Sequence, residues 1–449
     1  MSELPVVVIG AGPLGLAAAA HLLERGLTPL VLEAGSSPAA AVEQWEHVRT
    51  FSPWPELVDP AAARLLEPTG WTAHESGFPT GREWIDGYLA PLAGVLGTRV
   101  QYGARVEAVS RLGRDRLVSP GRAEAPFVVH VTNADGTECR VQAQAVVDAS
   151  GTWNQPNPAG ADGVPAIGER AAAASGVLTY IPPTLAQASA LAGKHVVVVG
   201  SGHSAMTAVI QLGEVVRKDP STSVTWVLRR GVSEDTFGGG AADELPQRGA
   251  LGVRSKEAVE AGRVSLSTGF RTERVDLVDG RAALTAEDGR GLSPADHVVV
   301  LTGFRPDLSF LSEMRIELDP ILQAPVNLAG SIDPNMHSCG SVLPHGAAEL
   351  AHPEPNLYIV GMKSYGRAPT FLAMTGYEQV RSIAAELVGD HEAARRVELT
   401  LPDTGVCNGA GLFDDPQGEN AGGGCCGPAP ASQPVSLQPS PLSLNLIGG

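Results

Sequence analysis

Several protein classes are excluded by what this chain lacks. It has five cysteines in 449 residues and no Cys-x-x-Cys pair. A flavin-coupled thiol reductase places such a pair, or a longer-spaced one, where it can be reduced. Here Cys139 and Cys339 stand alone, and Cys407 is followed only much later by the vicinal Cys425 and Cys426. Positive charge is also scarce. With 32 Lys and Arg against 49 Asp and Glu, the formal net charge is −17, which argues against nucleic acid or an anionic membrane surface as partner. No uninterrupted apolar stretch approaches the roughly 20 residues of a membrane span. Val6 already opens a strand, leaving no room ahead of it for a signal peptide, so the expected location is the cytoplasm.

What is present is glycine, 53 residues of it, and two stretches place it tellingly. The first is Val6-Val7-Val8-Ile9-Gly10-Ala11-Gly12-Pro13-Leu14-Gly15. After a buried parallel strand the chain must turn at once into a helix. Gly10 allows the tight turn, Gly12 lets a pyrophosphate approach the backbone, and Gly15 lets helix and strand pack closely. The helix expected from about Pro13 to Arg25 aims its positive end at the phosphates. A second short strand, Pro29 to Leu32, ends at Glu33, whose carboxylate suits ribose hydroxyls.

The second stretch is Val196-Val197-Val198-Val199-Gly200-Ser201-Gly202-His203-Ser204-Ala205. Its third small residue is Ala205, which the pattern permits, and its following strand, Ser223 to Leu228, ends in Arg229 and Arg230 rather than an acid. Two guanidinium groups suit a 2′-phosphate through charge-assisted, bidentate hydrogen bonds, which points to NADPH. Two dinucleotide sites in one chain point to a flavin and a nicotinamide that exchange electrons, FAD at the first and NADPH at the second.

The expected fold is α/β, with two Rossmann-like domains and a flexible C-terminal tail. Residues 1–165 form the first part of the FAD domain, 166–300 an inserted NAD(P)H domain, 301–400 the second part of the FAD domain, and 401–449 the tail. An apolar run from Val141 to Val147 leads into Asp148-Ala149-Ser150-Gly151, and a similar one from His297 into Leu301-Thr302-Gly303. Each reads as a buried strand delivering backbone to a ligand where the chain crosses between domains. Trp45 to Trp84 shows little periodicity and reads as pocket-shaping loops. A strand from Leu357 ends at Gly361, facing a helix from about Phe371 to Leu387, where the glycine can hold further pyrophosphate or flavin contacts.

Taken together, these segments resemble the two-dinucleotide-binding-domain flavoproteins and, within them, the class B flavin monooxygenases, over nearly all of residues 4–390. The family's crossing segments match Ala149-Ser150-Gly151 with Pro156 and Pro158, and Leu301-Thr302-Gly303. The resemblance implies that Trp45 lies in the stretch lining the flavin and that the backbone of Val106 meets the adenine. Phe51-Ser52-Pro53-Trp54 and Gly361-Met362-Lys363-Ser364-Tyr365-Gly366-Arg367-Ala368-Pro369 look most like the flavin monooxygenases encoded in arsenic-resistance operons. That implies transfer of one oxygen atom, through a C4a-hydroperoxyflavin, to a small soft nucleophile such as a trivalent arsenical. The family's aromatic-glycine-histidine signature before the second motif is missing, since residues 151–194 contain no histidine, and this departure counts against Baeyer–Villiger chemistry.

No acid, base or nucleophile stands out as catalytic. His345, Tyr365 and Arg367 are candidates for the pocket near the flavin ring, and His203 for packing or phosphate contact in its turn. His337, Cys339, His345 and His352 fit no compact metal template, and no metal is expected. After Leu401 the composition turns to Gly, Pro, Ser and Asn, too poor in large apolar residues to build a core. Thiolates are soft ligands, so Cys425 and Cys426, with Cys407 as a third sulfur, are candidates for thiophile capture. They are equally candidates for a thiol relay, which would make the chain an NADPH-dependent reductase instead.

Overall fold

The computed structural model describes residues 4–232, 234–238, 246–333, 344–368 and 371–399. Its strands, in chain order, are β1 (Val6–Ile9), β2 (Pro29–Leu32), β3 (Val100–Gln101), β4 (Ala104–Arg111), β5 (Phe127–Asn133), β6 (Glu138–Ala143), β7 (Ala145–Asp148), β8 (Leu178–Thr179), β9 (His195–Val199), β10 (Ser223–Val227), β11 (Ser265–Ser267), β12 (Thr272–Val278), β13 (Arg281–Ala286), β14 (His297–Val300) and β15 (Leu357–Ile359).

They form two five-stranded sheets with all described pairings parallel, ordered β15-β7-β1-β2-β3 and β11-β10-β9-β14-β8. The central strands explain the pattern. All four residues of β1 and of β7 are buried, as are Val196 to Val199 of β9. Strands covered on both faces read as continuous apolar runs rather than alternating ones. In each sheet the strand carrying a glycine motif is central, and the helix that follows, Pro13–Glu24 or His203–Lys218, packs against it. The chain is therefore an α/β protein with two sheets of one design. A three-stranded antiparallel sheet, β4-β5-β6, and a hairpin, β12-β13, complete it.

Two expectations need correction. The run from Val141 to Val147 is not one strand. It breaks at Gln144, whose N–H donates to Pro5 O, so that β6 closes the antiparallel sheet while β7 enters the parallel one. The stretch from Trp45 to Trp84 is not all loop either. It holds the helices Trp54–Leu57, Pro60–Leu66 and Gly81–Trp84. Asp59 caps the second, accepting from Ala62 N at 2.8 Å, and Thr80 with Glu83 forms a capping box on the third. Pro-Ala-Ala-Ala-Arg-Leu-Leu after an aspartate is a capped helix signal too short to show a full apolar period.

Buried polar clusters tie the layers together. Glu354 accepts from Arg111 at 2.8 Å and from Arg122 at 2.7 Å, all three side chains at most 4% exposed, joining β4 to the segment before β15. His21, on the first glycine-motif helix, meets Asp59 at 2.8 Å. Among the described residues no helix is long and apolar enough to cross a membrane.

Candidate functional site: two nucleotide turns and the crossings between them

The first glycine turn has the geometry its residues imply. Gly10 has φ +98°, and a Cβ there would lie 2.9 Å from Ala149 O; a Cβ at Gly15 would lie 1.9 Å from Gly10 O. At Gly12 a Cβ would meet nothing within 4 Å. The turn is thus closed on the protein side and open where a pyrophosphate would approach the helix beginning at Pro13. Glu33 lies at the end of β2, its carboxylate accepting from Ala11 N at 2.6 Å and Gly35 N at 2.7 Å. Those bonds fix its orientation and leave lone pairs for ribose hydroxyls. Val106 is half-buried on β4, opposite Val131. Trp45 is half-buried, its ring against the Gly81 backbone.

The second turn repeats the plan. Gly200 has φ +130° with Leu301 O 2.2 Å from an added Cβ, Gly202 opens on space, and Ala205 is buried. His203 begins the helix His203–Lys218, and its ring meets Phe51 edge-on at 4.9 Å. Phe51 thereby brings the tryptophan-rich segment onto the second glycine turn, a contact invisible to motif reading. Ser204 lies in the first turn of the same helix. Beyond β10, Arg229 is exposed, with one N–H donated to Ala161 O at 2.9 Å, and Arg230 is half-buried.

The crossings, read from sequence as two separate segments, pair with each other. Asn157 N donates to Gly303 O at 2.8 Å, and its Nδ2 to Thr302 O at 3.1 Å. Its own backbone O accepts from Thr302 Oγ1 at 2.7 Å and its Oδ1 from Arg305 Nε at 2.7 Å. Trp153 stacks on Phe304 at 4.8 Å. One asparagine therefore latches the two connections between the sheets. Replacing it with alanine is expected to slow hydride transfer about tenfold, since small misplacements of reacting groups have large effects on rate, while nucleotide affinity stays within about twofold. Single-turnover flavin reduction across an NADPH series separates the two quantities.

Where β7 and β15 end, the structure places charges that the motif pattern did not single out. Lys363 Nζ lies 2.6 Å from Asp148 Oδ2, both side chains 0% exposed, and donates to Ser150 Oγ at 3.0 Å. Ser150 is half-buried beside Gly151, where an added Cβ would meet open space. Gly361, at φ +72°, begins the turn Gly361–Tyr365 that carries Lys363.

The three pocket candidates separate. His345 is buried and meets Gln379 Nε2 at 2.8 Å; Gln379 also donates to Ser364 Oγ and accepts from Gly361 N at 2.7 Å. Tyr365 is buried 5.6 Å from the His345 ring, and burial raises its pKa far above the ordinary phenol value. Arg367 is exposed instead, its Nε on Gln323 Oε1 at 2.8 Å. Among the described residues no group of His, Cys, Asp or Glu could hold a metal. His337, Cys339, Cys407, Cys425 and Cys426 lie outside them. Cys139 is exposed on β6.

His352, from the same histidine-bearing segment, is a half-buried base. Burial pushes its pKa down to about 4, with only Glu317 N donating weakly to it. A lowered folded pKa means that the unfolded chain binds the extra proton between about pH 6.5 and 4. Stability is therefore complete above 6.5 and lost as pH falls toward 4, by about 2 to 3 kcal/mol from this group. Urea unfolding at pH 7 and pH 4.5 should show the loss, and His352→Asn should flatten it.

The family described as pyridine nucleotide-disulphide oxidoreductase matches residues 7–327. The chain belongs to this family. As an FAD- and NADPH-dependent oxidoreductase it has relatives on both sides of a functional divide. The ferredoxin–NADP reductase of Saccharopolyspora erythraea is 27% identical over 322 residues, 71% of this chain and 78% of that one. The bacillithiol disulfide reductase Bdr of Bacillus cereus superposes with a TM-score of 0.64 at 21% identity, over 87% of this chain and 100% of that one. A flavin-containing monooxygenase from Stenotrophomonas maltophilia superposes with a TM-score of 0.52 at 23% identity, over 88% and 99%. The open backbone at Gly12 and Gly202 fits the two nucleotides this family uses.

Proposed function

We propose that this oxidoreductase is an NADPH-using flavin monooxygenase that transfers oxygen to a small soft nucleophile, with a trivalent arsenical as the candidate substrate. The observation carrying the reading is that, among the described residues, sulfur is kept out of the crossings: the one described cysteine, Cys139, is exposed on β6, while the segments between the nucleotide turns present Ser150, Gly151, Thr302 and Gly303. A bound flavin would supply hydride acceptance from the nicotinamide and electron transfer to oxygen. The protein's part is to hold both nucleotides and exclude water. Asn157 and Arg305 fix the crossings, the Phe51–His203 contact lies at the second turn, and on this reading Arg229 and Arg230 select the phosphorylated nicotinamide. The arsenical rests on the resemblance of Phe51 to Trp54 and of Gly361 to Pro369.

A second reading is favoured by the names of relatives, which include a disulfide reductase: an NADPH-dependent reductase relaying electrons through Cys407, Cys425 and Cys426. The deciding experiment reduces the flavin anaerobically with NADPH and follows its spectrum after mixing with oxygen. An absorbing species preceding oxidised flavin, with arsenite-dependent oxygen uptake, supports the monooxygenase. Direct reoxidation, with turnover abolished by Cys425→Ser and Cys426→Ser, supports the reductase.

A further inference from the structure

We propose that Asp148 and Lys363 form a charged floor beneath the flavin site, a positioning pair that holds Ser150 and sets the reduction potential of the bound flavin. The pair joins the carboxyl ends of two adjacent parallel strands, β7 and β15, the edge of an open α/β sheet where ligands bind. Its neighbour Ala149 places its carbonyl O 2.9 Å from where a Gly10 Cβ would stand, so the charges lie one residue from the first glycine turn.

Stability gives no reason for the pair. Two charges removed from water carry a large desolvation penalty, and replacing a buried ion pair with apolar groups of similar volume is often neutral or stabilising. Here the penalty is met in full, at 0% exposure for both side chains, and the surroundings are arranged to hold it. Ser150 donates from N at 3.1 Å and Oγ at 2.6 Å to Asp148 Oδ1, and its Oγ accepts from Lys363. The Lys363 ammonium also lies 4.4 Å from the centre of the Phe310 ring. It meets Asp148 Oδ2 as a charge contact rather than an aligned hydrogen bond.

The turn bearing Lys363 is clamped in its own right. Gln379, fully buried, accepts from Gly361 N, and Ser364 Oγ donates back to Gly361 O at 2.7 Å. The field of Lys363 reaches the second crossing: burial pushes the Asp307 carboxyl up, yet hydrogen bonds from Ser309 and the lysine charge hold it below its usual value. Since neither charged side chain is exposed, the pair acts through Ser150, which is half-buried at the site, and through its field in a low-dielectric interior.

Reduction adds negative charge to the flavin, so the sign of the remaining charge predicts the direction of each shift. Asp148→Asn leaves a lysine charge alone and moves the midpoint potential positive. Lys363→Met leaves a carboxylate alone and moves it negative. The double variant Asp148→Asn/Lys363→Met returns toward wild type, and Lys363→Arg keeps the wild-type value. The measurement is a dye-coupled reductive titration of the flavin-loaded full chain. Shifts of one sign in Asp148→Asn and Lys363→Met, or coincident potentials in the wild type and all four variants, overturn the proposal. Should Lys363→Met not fold, Asp148→Asn must still lie positive of the double variant, and equality there overturns it equally.

Discussion

Gly15→Ala is expected to yield a colourless protein, its flavin lost at purification. An alanine Cβ at this position would stand 1.9 Å from Gly10 O and 3.0 Å from Gly10 C, inside any tolerable contact, and the atom it strikes is backbone. Gly10 has little room to retreat, because even a Cβ built on it would lie 2.9 Å from Ala149 O and 3.0 Å from Ser150 Cα. The helix Pro13–Glu24 must move off β1 instead, withdrawing the N–H groups that would face the phosphates. The equivalent residue of the second turn is already alanine, fully buried. Ala205→Gly should therefore cost only about 1 kcal/mol of helix propensity and leave NADPH binding nearly unchanged. The ratio of flavin to protein absorbance, with a melting curve for each variant, checks both. A Gly15→Ala protein retaining one flavin per chain would show that the turn tolerates a shift that its contacts exclude.

Why the glycine turns were legible, and the charged floor was not, follows from the range of the forces involved. A turn between a strand and a helix is a local event; the residues at Gly10, Gly12 and Gly15 meet each other within one helical turn, so their types record the constraint. The same holds for Glu33, one residue beyond β2. Lys363 reads in sequence as a surface residue, since a buried lysine requires a partner, and its partner lies on another strand far away in the chain. Gln379 is equally silent: three hydrogen bonds make it a keystone, and all run to residues of other segments. The break at Gln144 carries no local signal, because both halves of the run are apolar and only membership of different sheets divides them. Asn157 offered a weak clue, lying between the family prolines Pro156 and Pro158, where a paired connection has to be rigid.

Removing both guanidinium groups from the end of β10, by Arg229→Ala with Arg230→Ala, is expected to lower kcat/KM for NADPH about 100-fold while NADH changes by no more than about threefold. A hydrogen bond to a charged group contributes about 1.5 to 3 kcal/mol, and exposure of Arg229 moves it to the low end through solvent screening. Two such contacts at the low end amount to about 3 kcal/mol, and each 1.4 kcal/mol is tenfold. The loss belongs to the 2′-phosphate, which NADH lacks, so the two nucleotides should part company. Lysines at both positions keep the charge without the planar fork and should recover only part of the preference. Added salt should weaken NADPH more than NADH in the wild type and erase that difference in the double variant. Arg229 also donates to Ala161 O in the first crossing, which gives the opposite outcome a clear meaning. If NADPH and NADH fall together, the arginine braces the crossing rather than reading the phosphate, and the choice between the two nucleotides is made elsewhere in the second turn.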